Sequence, residues 1–322
     1  MSKPEGVFHS IYRKDLFSGQ RILITGGGTG IGRCTAHELA SIGAHVIIAG
    51  RKESNLQQVA REIRSIPGQR CDFVQMDVRN VVSVNEAVVK IVEQWGFLSG
   101  LVNNAGGQFP SPAENISDKG WRSVIDLNLN GTWNVIKAVH SHHDASRGPL
   151  SIVTVTADVR NGKLFMAHTA AARAGIENLT KTLSQEWGSQ GVRINCVAPG
   201  TILGNGISSY AKEVKEQTAE THFMNPAGRL GTEAEISSAI TYLLSPGASF
   251  VTGCVIQATG GAHLRKGFED VFIPYQAESA IPPYFGFRSI DSMLEPAYFA
   301  SGKIPSGFES LIADYTKKPS KL

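Results

Sequence analysis

Cysteine is scarce in this chain: four residues in 322, Cys34, Cys71, Cys196 and Cys254, widely separated and each within or beside an apolar stretch. There is no Cys-x-x-Cys pair, and the histidines lack metal-ligand spacing even at His140, His142 and His143. The thiols therefore read as reduced core residues, and no metal is expected. A large charge of one sign is lacking too. The formal net charge is +3 and no Lys/Arg cluster interleaves with aromatics, which excludes a nucleic-acid partner. No apolar run reaches the roughly 18 residues of a membrane span, and residues 1–19 hold no long apolar stretch of a secretory signal, so a soluble, non-secreted chain is expected. Internal repeats and low-complexity linkers are absent, which leaves one domain, and a hydrophobic content of 42% is enough to build its core.

What is present is organised around Thr25-Gly26-Gly27-Gly28-Thr29-Gly30-Ile31-Gly32. An apolar run, Arg21-Ile22-Leu23-Ile24, precedes it, and Ile31, Thr35, Leu39 and Ile42 follow at helical spacing. Strand, glycine turn and helix in that order make a dinucleotide cradle. Glycines allow a tight turn and close approach, and the helix N-terminus offers unpaired N–H groups and a positive dipole end to a pyrophosphate.

Further strands are expected at 45–49, 72–76, 101–103, 151–156, 192–197 and 254–258. Most are continuous apolar runs, as parallel strands covered on both faces should be. Helical stretches lie between them, among them 56–66 and 82–95. In 169–187, Ala172, Ile176, Leu179, Leu183 and Trp187 form one apolar stripe, and Gly188 is expected as the helix stop. The series predicts an α/β fold with a doubly wound, seven-stranded parallel sheet of the Rossmann type.

After Gly261 the pattern dissolves. Ile281-Pro282-Pro283, Pro296 and Pro305 interrupt residues 262–322, which also carry Phe272, Tyr275, Tyr284, Phe285 and Phe287. This reads as an irregular arm that packs on its own or a neighbouring subunit and ends in a free tail. The chain thus divides into an N-terminal extension (1–19), the Rossmann domain (20–262) and a C-terminal arm (263–322). Ser320-Lys321-Leu322 matches the address read by the peroxisomal import receptor, so a peroxisomal location is expected, with the cytoplasm as the alternative.

Five motifs share one family pattern: Thr25-Gly26-x-x-x-Gly30-x-Gly32, Asp77-Val78, Asn103-Asn104-Ala105-Gly106, Asn128-Leu129-Asn130-Gly131 and Pro199-Gly200. Together they resemble the short-chain dehydrogenase/reductase family over about residues 20–262. The resemblance implies that Gly26, Thr29, Gly30, Ile31 and Gly32 cradle the cofactor pyrophosphate. Asp77 would accept from the adenine amino group beside the Val78 backbone. Asn104, Ala105 and Gly106 would lie against the ribose, and Pro199, Gly200, Thr201 and Ile202 against the nicotinamide carboxamide. A homo-oligomer, a tetramer by family habit, is also implied.

Where an NAD-binding chain needs a carboxylate at the end of the second strand, this one has Gly50-Arg51-Lys52. Arg51 can fork onto a 2′-phosphate and Lys52 adds a second charge, so NADPH is the expected cofactor.

The chain departs from the family in its acid–base residues. Arg173-Ala174-Gly175-Ile176 sets the register, so Arg173 occupies the lysine position of the usual Tyr-x-x-x-Lys, and Thr169 occupies the tyrosine position. A threonine hydroxyl is too weak an acid to replace an activated phenol, and Thr156 is the nearest match to the family serine. Residues 102–109, 116–121 and 168–175 look most like peroxisomal trans-2-enoyl-CoA reductases, within the 2,4-dienoyl-CoA reductase-like branch. That resemblance implies an acyl-CoA substrate and reduction of a carbon–carbon double bond.

Candidate catalytic residues are Asn128, which holds a water or the helix in shape; Arg173, for ribose or substrate phosphate; and His168 and Tyr210 as proton donors. His168 reads equally as a cap or surface group, and Tyr210 as an exposed loop residue. Three other functions stay open: 2,4-dienoyl-CoA reduction, an alcohol or terpenoid dehydrogenase with a non-standard acid, and a catalytically silent nucleotide-binding protein. Arg51→Asp is expected to weaken NADPH and to spare or improve NADH in steady-state assays; an unchanged preference would place the discriminating charge elsewhere.

Overall fold

The computed structural model describes residues 8–204 and 226–264 together with Tyr284. Six strands, β1 (Arg21–Thr25), β2 (His45–Gly50), β3 (Arg70–Gln75), β4 (Gly100–Asn103), β5 (Leu150–Val155) and β6 (Val192–Pro199), precede two short ones, β7 (Ile202–Leu203) and β8 (Gly231–Thr232), and β9 (Val255–Ala258). Seven of them form a parallel sheet in the order β3-β2-β1-β4-β5-β6-β9, while β7 and β8 pair separately. The helices are α1 (Gly30–Ser41), α2 (Glu53–Arg64), α3 (Val81–Trp95), α4 (Asp118–Ile125), α5 (Gly131–Ser141), α6 (Ala167–Trp187) and α7 (Glu233–Leu244). The expected doubly wound Rossmann sheet is the observed one.

Strand alternation explains the two layers. Ile22 and Ile24 of β1 face a core with Leu39 of α1, Leu56 and Ile63 of α2, and Ile236 and Ile240 of α7. Leu23 between them faces the other core, with Val88 and Ile91 of α3, Val135 and Val139 of α5, and Leu183 of α6. Each fully buried aliphatic side chain contributes roughly 1.5–3 kcal/mol, so both faces of the sheet are strongly held. Among the described residues no helix is long and apolar enough to cross a membrane. The four thiols are free, with Cys34, Cys71 and Cys196 buried.

Two sequence expectations are refined. The α-helix ends at Trp187 with Gly188 next, as expected, but Gly188 keeps helical angles (φ −58°, ψ −40°) and opens a 3₁₀ turn, Gly188–Gln190. The left-handed residue that ends the run is Gly191 at φ +76°. The third strand begins at Arg70 rather than Asp72, because Arg70 and Cys71 pair with His45 and Val46 of β2.

A buried carboxylate seals the outer side of α1. Glu38 accepts hydrogen bonds from the Ser10 hydroxyl (3.0 Å) and from the Ser237 hydroxyl of α7. The Tyr284 hydroxyl lies 3.5 Å from it and donates to the His9 carbonyl at 2.8 Å. Burial pushes the Glu38 carboxyl up from 4.5 to about 7. The folded chain therefore keeps this proton to higher pH than the unfolded chain, and stability falls as pH rises from about 4.5 to about 7. At ~1.4 kcal/mol per unit, the effect is roughly 3 kcal/mol. Glu38→Gln is expected to flatten this slope, leaving the midpoint of thermal unfolding nearly unchanged at pH 4.5 and raising it by several degrees at pH 8; parallel pH curves would show that Glu38 is already ionised in the fold.

Candidate active site

The sheet order reverses between β1 and β4, which opens a crevice at their carboxyl ends. Thr25, the last residue of β1, ties the two sides together. Its hydroxyl accepts from the backbone N–H groups of Asn104 (3.0 Å) and Ala105 (2.9 Å) and donates to the Asn103 side chain (3.2 Å). Asn104 in turn donates its side-chain amide to the carbonyls of Thr25 (3.0 Å) and Gly26 (3.3 Å). A Cβ on Gly32 would lie 2.4 Å from the Gly26 carbonyl oxygen and 2.5 Å from the Asn104 amide nitrogen, so only hydrogen fits there. The Asn-Asn-Ala-Gly run therefore braces the glycine turn as well as facing the crevice.

Four helices, α1, α2, α5 and α6, start without a side-chain capping bond, Thr29 and Lys52 preceding the first two, whereas Asn80, Ser117 and Thr232 cap α3, α4 and α7. Uncapped N–H groups and the positive dipole end suit phosphate. Ile31 lies in the first turn of α1, and Arg51 and Lys52 are exposed at the entrance to α2. The Arg51 carbonyl accepts from the Gln75 side chain at 2.9 Å, which fixes the turn to the end of β3.

Asp77 is more engaged than its motif suggested. Arg79 forks onto it, Nε to Oδ1 at 3.0 Å and Nη2 to Oδ2 at 2.6 Å, and holds the carboxyl below its usual range. Oδ1 also accepts from the Arg79 backbone N–H (3.1 Å) and Oδ2 from Nε (3.2 Å), so Arg79 occupies both oxygens twice over. Val78 beside it is buried, and its carbonyl accepts from the Asn134 side chain (3.0 Å).

Three candidate side chains converge on one loop, residues 106–109. Arg173 of α6 is buried and crosses over Gly106: a Cβ there would sit 2.2 Å from Arg173 Nη2 and 2.9 Å from Asn128 Oδ1. The guanidinium donates from Nη1 to the Val155 carbonyl (2.7 Å), while Nε finds no partner among the described residues. No carboxylate pairs with it among the described residues, and burial pushes its pKa down to about 10.

Asn128 sits in a π-helical turn, Asp126–Asn130, between α4 and α5; such turns gather at functional sites. Its amide donates to the carbonyls of Gly107 (2.7 Å) and Val124 (2.8 Å) and accepts from the Gly107 N–H (3.2 Å). It is thus a clamp on the loop.

His168 is fully buried in the first turn of α6, neither a surface group nor exposed. Its ring meets Phe109 edge to face, with centroids 4.5 Å apart. Nδ1 accepts from the Thr169 N–H (2.8 Å), which assigns the proton of the neutral ring to Nε2. Burial pushes its pKa down, so the neutral form prevails, and Nε2 has no partner among the described residues. Thr169 and Thr156 do not supply an acid: Thr169 is buried with its hydroxyl 3.4 Å from His168 Nδ1, and the Thr156 hydroxyl donates to Glu177 (3.2 Å).

The other rim of the crevice is made by the segments after β5 and β6. Phe165, at φ +61°, accepts from the Ser111 N–H (2.8 Å), which ties the loop before α6 to the loop after β4. A side chain in the left-handed region costs roughly 1–2 kcal/mol, a strain that functional sites tolerate. Pro199 accepts from the Asp158 N–H (3.1 Å), and Gly200, Thr201 and Ile202 line a cavity of about 200 Å³ with Arg229 and Glu235. Tyr210 lies outside the described residues. Sequence reasoning named Thr25 but missed its bracing bonds to residues 103–105, the Arg79 fork on Asp77, and the packing of Phe109 on His168.

A crevice with uncapped helix ends and a buried cation lacking an acidic partner fits a nucleotide carrying phosphates and ribose hydroxyls. The Enoyl-(Acyl carrier protein) reductase family model matches residues 26–263, and the chain belongs to the short-chain dehydrogenase/reductase family. Among relatives, a Bacillus subtilis protein named probable 2,4-dienoyl-CoA reductase is 38% identical, over 76% of this chain and 96% of its own length. The mouse peroxisomal 2,4-dienoyl-CoA reductase is 34% identical, over 79% of this chain and 87% of its own. Among solved structures, a citronellol catabolism dehydrogenase of Pseudomonas aeruginosa PAO1 is 44% identical with a TM-score of 0.70, covering 79% of this chain and 99% of that one. Fold and family imply a nicotinamide nucleotide cofactor.

Arg173→Met removes a buried charge whose desolvation costs several kcal/mol, against about 1–3 kcal/mol for the Val155 carbonyl left bare. Denaturant unfolding is expected to show stability no lower than the parent's, while fluorescence titration shows nucleotide affinity reduced about tenfold or more. A destabilised variant that still binds nucleotide would make Arg173 a purely structural residue.

Proposed function

We propose that this chain is an NADPH-dependent reductase of the 2,3 double bond of trans-2-enoyl-CoA thioesters. The observation that carries the reading is the pairing at positions 169 and 173: a threonine turned toward His168 and a buried arginine, where alcohol chemistry needs a phenol and a lysine. Among the described residues the site has no acid suited to protonate an alkoxide, while His168 Nε2–H is a fixed donor suited to an enolate oxygen.

A bound nicotinamide dinucleotide would supply the hydride for the β-carbon. Arg51, Lys52 and the uncapped ends of α1 and α2 would hold its phosphates, and Arg173 would serve its ribose. Negative charge then builds on the thioester oxygen, where the Nε2–H of neutral His168 is a preformed donor in a dry setting. His168 keeps that proton as donor, and water or Tyr210 delivers the α-proton. Asn128 positions the loop that carries Gly107 and Phe109. Leu164, 80% exposed, and Phe165 offer apolar surface for the acyl chain. The peroxisomal location rests on Ser320-Lys321-Leu322, outside the described residues, and on the name of the mouse relative. Assembly as a homotetramer rests on the family.

A second reading, reduction of 2,4-dienoyl-CoA, is favoured by the names of the Bacillus and mouse relatives. The deciding assay follows loss of nicotinamide absorbance with trans-2-enoyl-CoA, 2,4-dienoyl-CoA and citronellol side by side, with NADPH for the reductions and NADP for the alcohol. Faster turnover of enoyl-CoA supports the proposal, and faster dienoyl-CoA supports the second reading. Turnover of citronellol alone, or of none of the three, overturns both.

A further inference from the structure

Tyr284 belongs to the segment after Gly261, which the sequence reads as an irregular arm, yet it joins three other parts of the chain. To the residues before β1 it gives a hydrogen bond, its hydroxyl donating to the His9 carbonyl at 2.8 Å. The same hydroxyl lies 3.5 Å from the Glu38 carboxylate of α1. At the start of α7 the Tyr284 carbonyl accepts from the Thr232 hydroxyl at 2.7 Å. The ring packs on a small cluster made by Phe8, Cys34 of α1 and Ala234 of α7.

Thr232 carries this contact into the fold. Its hydroxyl also accepts from the Glu235 N–H (3.2 Å), and the Glu235 carboxylate accepts from the Thr232 N–H (2.9 Å), a capping box that begins α7. Tyr284 thus takes the one proton of the hydroxyl that starts the helix. The next residue reaches the glycine turn. A Cβ on Gly30, the first residue of α1, would lie 3.6 Å from the Glu233 carboxylate, which also abuts Gly204 just after β7. Cys34 stands one turn beyond Gly30, and Glu38 a turn further accepts from Ser237 of α7. Tyr284 and Phe8 therefore close the seam between α1 and α7 directly behind the uncapped turn that suits a pyrophosphate.

We infer that Tyr284 is a positioning residue of the nucleotide site: it buckles the two ends of the chain together over the α1–α7 seam and so fixes the first turn of α1 in the pose that receives the phosphates. This rests on the cofactor reading above and is independent of which substrate is reduced. The physical reason is preorganisation, since a turn already held by the fold loses little freedom when a ligand binds. Without the buckle α1 and α7 have more arrangements, and the nucleotide must select one of them.

The test compares the full-length parent with Tyr284→Phe, which loses the hydroxyl alone, and with Tyr284→Ala, which also loses the ring. Val139→Ala, a truncation in the core on the other face of the sheet, is the control for general loss of stability. Affinities for NADPH and NADH are read by fluorescence titration, and helix protection by amide hydrogen exchange without nucleotide. For the nucleotide that the parent binds more tightly, the expected Kd rises about fivefold or more in Tyr284→Ala and less in Tyr284→Phe, and stays near the parent's in Val139→Ala. In the two Tyr284 variants exchange quickens in α1 in the same order, while α3 on the other face keeps the parent's rates. A parent-like Kd in Tyr284→Ala, or an equal rise in Val139→Ala, would leave Tyr284 with general stability only and overturn the proposal. If the parent binds neither nucleotide, the cofactor reading fails separately and hydrogen exchange decides: quickening confined to α1 and α7 supports the buckle, and parent-like exchange in α1 overturns it.

Discussion

The site depends on one buried cation. Arg173 enters the crevice from α6, lies over Gly106 and is anchored by a bond to the last carbonyl of β5, with no carboxylate beside it among the described residues. An unpaired charge in such a place is costly, and its pKa is driven down to about 10. The fold tolerates it because Gly106 yields the space and the Val155 carbonyl supplies an acceptor. The nucleotide proposed for this crevice, rich in hydroxyls and phosphates, would relieve the rest of the cost.

Around that cation the polar groups are used with little left over. Thr25 and Asn104 satisfy the backbone of the glycine turn, and Asn128 satisfies both polar groups of Gly107. These bonds consume side chains that sequence motifs associate with ligands, and they hold the loops in place before a ligand arrives. Among the buried side-chain atoms without a partner in the described residues are Arg173 Nε and His168 Nε2 at the crevice, alongside others such as Thr154 Oγ1, Thr241 Oγ1 and Gln257 Oε1.

The same accounting separates the outer side of α1 from the crevice. There the Glu38 carboxylate is closed off by hydroxyls from three distant segments, and Phe8 meets Tyr284 edge to face with centroids 6.5 Å apart. Tyr284 also accepts from the Thr232 hydroxyl at 2.7 Å, which ties it to the start of α7. The N-terminal residues join the core as well, since Phe17 is completely buried against β1 and α1.

The order of elements, the parallel sheet and the glycine turn were all readable from the chain, because apolar periodicity is a local property and follows directly from residue spacing. The absence of a phenol at 169 and of a lysine at 173 was readable too, and it bears on the reaction more than the glycines do. Other features needed the tertiary structure. Nothing local says that Thr25 bonds to residues 103–105, or that Arg79 forks onto Asp77. Nor does it say that a 3₁₀ turn, Gly188–Gln190, follows α6 before the left-handed Gly191. Likewise His168, ambiguous in sequence, became a neutral buried donor only when Phe109 and the first turn of α6 closed around it. Sequence determined which groups the chain could use; packing decided which of them stay unpartnered, because burial and hydrogen bonding depend on residues far apart in the chain.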